Sequence, residues 1–136
     1  MRLEVTRKAD LATRVLLELS ARGKRAKSAE LADALGTTPG YLTQVVAPLA
    51  GRGWIESEPG PTGGYRTTVT LADVTVLDVI EAVEGPSESG RCVLEDRTCA
   101  GGAQCALHLP WSRARAQLVA ELARTPLSTL VGKGTR

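Results

Sequence analysis

Six residues, Pro59-Gly60-Pro61-Thr62-Gly63-Gly64, constrain the chain more tightly than any other segment. Proline fixes φ and removes an amide donor, and glycine tolerates positive φ, so such a cluster cannot continue a ladder and must turn. Before it, Trp54-Ile55-Glu56-Ser57 alternates apolar and polar with a period of two. After it, the segment from Tyr65 to Leu71 is rich in Thr and Val, residues that suit a pleated, half-buried surface. The pattern predicts a β-hairpin with strands over 54–57 and 65–71.

Upstream of the hairpin the period becomes helical. Residues 8–22 repeat Leu11, Val15, Leu16 and Leu19 along one face, and Gly23 is a stop. The basic run Lys24, Arg25 and Lys27 falls in the loop that follows. Ser28 is the expected N-cap of a helix over SAELADAL, whose inner side is Leu31, Ala32 and Leu35; with Leu31 three residues on, no capping box is expected there. Gly36-Thr37 breaks that helix. Thr38 caps a third helix with Pro39 at its first position, where a missing N–H costs nothing. Its inward residues are Leu42, Val45, Val46 and Leu49, which leaves Tyr41, Thr43, Gln44 and Ala47 on the other side; Pro48 is expected to kink it. Two short helices joined by a tight glycine-containing turn form a helix-turn-helix, and a hairpin directly after it makes a winged helix.

Downstream, residues 75–84 form a helix with Val76, Val79, Ile80 and Val83 on one face, and residues 110–124 form a longer one, with Pro110 in its first turn and Leu118, Val119 and Leu122 as an apolar stripe. Pro126 ends it, and Leu127 to Val131 is a short final helix. The expected fold class is mainly α with a small β-hairpin wing (α+β): a winged helix-turn-helix over residues 1–72, then a unit over 73–136 with a cysteine loop and a long C-terminal dimerisation helix. Such a helix, outside a small domain that has its own core, needs a partner surface, and a second copy of the chain is the simplest one.

Composition narrows the function. The chain has 136 residues and no Phe, so its core must be aliphatic. Residues 1–66 hold ten Lys/Arg against seven Asp/Glu, and residues 67–136 hold seven against eight, so the helix-turn-helix half is the mildly cationic one. No apolar run approaches the roughly 20 residues that cross a bilayer, and the charged start MRLEVTRKADLATRV has no leader-like apolar core, so a cytoplasmic location and no membrane contact are expected. An enzyme is not expected. The chain has one His, no nucleophile–base pair can be argued, and the glycines sit at a hairpin tip and not in a phosphate loop after a strand.

The remaining motif is Cys92-x6-Cys99-x5-Cys105-x2-His108. An odd number of cysteines, all within fourteen positions, points to metal or redox chemistry more than to a disulfide. Thiolates are soft ligands that select zinc, copper(I) or iron–sulfur clusters. Gly101 and Gly102 let the chain curl closely around such a group. If Cys105 begins a helix, His108 lies on the same face and completes a four-ligand set. A structural zinc site on the same four residues is the alternative, although zinc sites usually pair ligands two to four residues apart.

Taken together these residues resemble the Rrf2 family of bacterial winged-helix regulators, in particular its iron–sulfur, IscR- and NsrR-like members. The resemblance lies in Met1-Arg2-Leu3, Tyr41-Leu42 with Gln44, the wing Gly60-Pro61-Thr62-Gly63-Gly64-Tyr65, the helix Asp78-Val79-Ile80-Glu81-Ala82-Val83, the cysteine triplet, and Leu127 to Val131. It implies a homodimer on a double-stranded DNA operator, with the third helix in the major groove and the wing in the minor groove. It also implies an iron–sulfur cluster on Cys92, Cys99 and Cys105 that controls operator binding. The fourth ligand would be His108, as in IscR-like members, with [2Fe-2S], or Asp10 from the partner subunit, as in NsrR-like members, with [4Fe-4S]. The first cysteine gap is one residue longer than is usual in those groups. Phosphate contacts are expected from Ser28, Thr38 and Tyr41, with Lys24, Arg25, Lys27 and Arg52 supplying charge. Base reading is expected from Thr43 and Gln44. The wing contributes Gly60, Pro61, Thr62, Gly63 and Tyr65, while Thr37 and Gly40 are expected to serve the fold. Where IscR-like members carry a glutamate and a basic residue this chain has Thr43 and Pro59, so their operator cannot be transferred. The competing function is a zinc-stabilised winged-helix DNA-binding protein with no cluster sensing.

Overall fold

In the computed structural model, which describes residues 3–87, 90, 92–94 and 104–132, the chain opens with helix α1, Arg7–Arg22. Thr6 caps it, its hydroxyl accepting the Ala9 amide at 3.1 Å, and Gly23 closes it in the left-handed region with φ +65°. Helix α2, Ser28–Leu35, ends at Gly36 with φ +69°, and the Thr37 amide reaches back to the Ala32 carbonyl at 2.9 Å. That bond is the Schellman closure, and it accounts for Thr37 as a fold residue. At the other end of α2 the cap is Lys27, not Ser28. The Lys27 amide donates to the Glu30 carboxylate at 3.2 Å and leaves Ser28 as the first helical residue. The Glu30 carboxylate fixes the amide of the residue before Ser28, so the helix starts one position earlier than a serine cap would set it.

Helix α3, Pro39–Gly51, starts as expected: the Thr38 hydroxyl accepts the Tyr41 amide at 3.2 Å and Pro39 stands at the first position. It runs through Pro48 to Gly51. The hairpin is β1, Ile55–Glu58, paired antiparallel with β2, Gly64–Thr67, with Ile55 opposite Thr67 and Glu58 opposite Gly64. The second strand is shorter than the Thr/Val run suggested. The Thr67 and Thr68 hydroxyls turn back onto the carbonyls of Trp54 and Gly53, at 3.1 and 2.6 Å, and close the base of the hairpin. The chain then forms a 3-10 turn, Leu71–Asp73.

Helix α4, Val76–Glu84, has a full capping box between Thr75 and Asp78. Helix α5, His108–Ala123, begins two residues earlier than the sequence predicts, with Pro110 still inside the first turn. A second 3-10 turn, Leu127–Leu130, follows. Among the described residues no helix is long and apolar enough to cross a membrane.

One aliphatic cluster holds these elements. Leu16, Leu19, Leu31, Leu42, Leu49, Val79 and Leu127 are all fully buried, and Tyr41, Trp54 and Tyr65 pack on its edge. Burial of each such Leu or Val side chain contributes about 1.5–3 kcal/mol. The C-terminal segment joins the cluster through a short antiparallel bridge: the Leu127 amide donates to the Val74 carbonyl and the Val76 amide to the Thr125 carbonyl, both at 2.9 Å. Helix α5 itself has no buried residue.

Candidate nucleic-acid interface and cysteine segment

The wing is built by steric necessity at its tip. A Cβ on Gly63 would lie 1.9 Å from the Glu58 carbonyl oxygen, so no side chain fits there. Gly64 has φ +126°, and a Cβ on it would lie 2.5 Å from the Ala26 carbonyl oxygen. That close approach lets Ala26 and Tyr65 exchange two backbone hydrogen bonds, 2.9 and 2.8 Å long. Buried Ala26 therefore ties the wing to the loop between α1 and α2, a link that the sequence reading missed because it saw only the charges on either side of that alanine.

Those charges are spent differently from the expectation. Arg25 is not a free phosphate donor, since its guanidinium pairs with Glu58 on β1 at 2.9 Å. Arg66 pairs with Glu56 across the hairpin. Arg52 lies over the Trp54 ring, 5.7 Å from its centroid, at the C-cap of α3. Lys24 and Lys27 are exposed. Between the start of α2 and the wing lies an open groove lined by Lys27, Ser28, Gly60, Gly63 and Tyr65, among others. It brings Ser28 together with the wing residues that the sequence singled out; Pro61 and Thr62 are exposed at the tip.

Helix α3 packs on both α2 and β1. Its Leu42, Val45, Val46 and Leu49 point into the core, while Thr43, Gln44 and Ala47 are exposed and Tyr41 is half-buried. The Thr43 hydroxyl donates to the Pro39 carbonyl at 2.9 Å. Gly40, expected to serve the fold, has no steric reason to be glycine: a Cβ there would meet nothing within 4 Å and its φ is ordinary.

Of the cysteine segment, Cys92 and Cys105 are described and half-buried; Cys99, Gly101 and Gly102 lie outside the described residues. The Leu94 amide donates to the Cys92 Sγ at 3.4 Å. The His108 amide donates to the Cys105 carbonyl at 3.0 Å, so a single turn joins the two residues, with His108 opening α5. Cys105 precedes the helix and does not begin it. Asp10 stands exposed in the first turn of α1, 3.9 Å from Arg14, whose other nitrogen donates to the Leu35 carbonyl at 3.3 Å. Among the described residues no three His, Cys, Asp or Glu side chains form a group able to hold a metal ion. The donor set of the whole segment, three thiols and one imidazole, fits an iron–sulfur cluster and also zinc.

Residues 5–133 match the Rrf2 family, whose members are described as iron-dependent transcriptional regulators. The chain is 29% identical over 133 residues to the HTH-type regulator ORF2 of Azotobacter vinelandii, covering 96% of this chain and 80% of that protein. It is 29% identical over 112 residues to the transcriptional regulator IscR of Vibrio atlanticus, covering 80% of this chain and 64% of IscR. Its fold is similar to the solved structure of CymR, the global cysteine regulator of B. subtilis, with a TM-score of 0.75 and 27% identity over 95% of this chain and 96% of that one.

Proposed function

The chain belongs to the Rrf2 family of DNA-binding transcriptional regulators, which are not enzymes, and from that premise we propose that its operator affinity is set by an iron–sulfur cluster held on Cys92, Cys99 and Cys105. The observation that carries the reading is the turn from Cys105 to His108 at the head of α5, which sets a thiol and an imidazole one turn apart in a family described as iron-dependent. His108 is the proposed fourth ligand, with Asp10 of a second copy as the alternative. When bound, such a cluster supplies a centre that oxidants, nitric oxide or iron shortage can alter. The Leu94 amide on the Cys92 sulfur stabilises thiolate charge at that ligand.

The rest of the device is in the chain. Cys92 follows α4 and Cys105 precedes α5, so whatever the thiols hold sets how the two helices diverge. The far end of α5 is fastened to the segment before α4 by the Thr125–Leu127 bridge, and α4 packs on α1 and α3. The apolar surface of α5 is open: Leu109 is 57% and Leu118 50% exposed, and Leu3, Trp111, Ala114 and Leu118 line a groove of about 350 Å³. A second copy of the chain covers this face and makes the homodimer. Two winged helices must then meet grooves about 34 Å apart. A change in the head of α5 alters that spacing, and a coupling of about 1–3 kcal/mol changes occupancy about 5–150-fold. On the DNA, Ser28, Thr38, Tyr41, Lys24, Lys27 and Arg52 hold phosphates, Thr43 and Gln44 read bases, and the wing from Gly60 to Tyr65 enters the minor groove.

The test compares protein purified anaerobically with protein stripped of metal, on a duplex selected by binding. A brown preparation whose affinity changes at least fivefold on stripping supports the reading. Equal affinities sink it. Colourless protein with stoichiometric zinc assigns the thiols a structural role, the competing reading. Protein that is metal-free as purified under anaerobic conditions and binds its operator fully would leave the thiols without a metal role. Absorbance and paramagnetic resonance of His108→Ala and Asp10→Ala then identify the fourth ligand.

A further inference from the structure

The exposed side of α3 carries no charge. From Pro39 to Gly51 there is no Lys, Arg, Asp or Glu, and the outward residues at its middle are Thr43, Gln44 and Ala47. The commonest specific base contact, Arg or Lys to guanine O6 and N7, is therefore not available from this helix. Two guanidiniums from other elements are engaged within the protein, Arg14 on the Leu35 carbonyl and Arg25 on Glu58. The Thr43 hydroxyl hydrogen is also spent, on the Pro39 carbonyl at 2.9 Å. What Thr43 offers outward is its methyl group. Ala47, four residues on, lies beside it on the helix surface, and Gln44 is three residues before Ala47. The Gln44 amide makes no hydrogen bond to another described residue and so has its donor and acceptor to give.

We propose that α3 reads an A·T-rich step in the major groove, with the Gln44 amide on adenine N6 and N7 and the methyls of Thr43 and Ala47 against thymine C5-methyl groups. The three side chains match the edges of an A·T pair in donor, acceptor and apolar content, and none of them matches guanine as well. The inference rests on the DNA-binding reading above, with α3 in the major groove, and not on the cluster.

Selection of binding sites from a random duplex library, with cluster-loaded and stripped protein in parallel, tests it first. The expected half-sites carry A·T pairs at the positions footprinted under α3. Thymines in the selected site are then replaced one at a time by deoxyuridine, which removes only the C5-methyl. We expect about a fourfold loss at one or two positions, the value of one buried methyl group. The variant Thr43→Ser keeps the hydroxyl bond and lacks the methyl, so it abolishes the thymine-over-uracil preference at one of them. Gln44→Ala admits other bases at the adenine, with a loss of discrimination of about 5–150-fold. Half-sites with G·C under α3, or equal binding of thymine and uracil duplexes at every position, overturn the proposal and leave DNA binding intact. Failure to enrich any sequence in either state overturns the DNA-binding reading itself.

Discussion

At Gly40 a side chain would be accommodated without strain, yet the first turn of a helix carries the residue that helices favour least after proline. Close approach of another backbone is the remaining reason for a glycine there. In the proposed complex that backbone is the DNA phosphate chain, which helix N-termini attract. Gly40→Ala is therefore expected to stabilise the protein by up to about 1 kcal/mol, read as a rise of a few degrees in Tm, and to weaken operator binding several-fold by anisotropy. A more stable variant with unchanged affinity would place Gly40 away from the phosphates. Gly63 is the opposite case, since Glu58 leaves no room for a Cβ.

Among the elements, the wing depends most on its neighbours. A two-stranded hairpin is at best marginal alone in water. Here Ala26 pairs with Tyr65 as a third strand would, and Arg25 holds Glu58. Arg25 Nη1 is buried with no hydrogen-bond partner among the described residues, while Nη2 makes the ion pair. Glu58→Gln is expected to cost under about 1 kcal/mol of stability, because the pair is partly exposed. It releases Arg25 toward a phosphate and should steepen the slope of log affinity against log salt by about 0.9, the value of one neutralised phosphate. An unchanged slope would show that the Arg25 loop stays off the DNA.

At the scale of the molecule, Leu127 fastens the end of α5 into the same cluster that Leu16, Leu31 and Leu49 form. Leu127→Ala should cost about 2–5 kcal/mol, read in the urea midpoint. If the α5 anchor carries the switch, the affinity ratio between metal-loaded and stripped protein should shrink in parallel. The outer face of α5 tests assembly. Leu118 is half exposed, so Leu118→Glu should leave the monomer fold intact and abolish the proposed dimer in light scattering. A variant that stays dimeric would move the interface off this groove.

What this chain determines by sequence is local. The cap at Thr38, the stops at Gly23 and Gly36, the buried faces of α1 to α3, the turn at residues 59–64 and the one-turn spacing from Cys105 to His108 each depend on residues a few positions apart. Their energetics are nearly complete within a single turn, so they are legible one segment at a time. Where local rules compete the sequence misleads: Lys27, with its amide held by Glu30, took the cap position from Ser28, and Thr67 and Thr68 cut β2 short by turning to Trp54 and Gly53. Tertiary structure alone decided that Ala26 joins the wing, that Glu58 takes Arg25 out of service and that Leu127 bolts α5 to α4. Each of these joins residues far apart in the chain, and the balance between burying a group and satisfying it is settled only when packing brings the partners together.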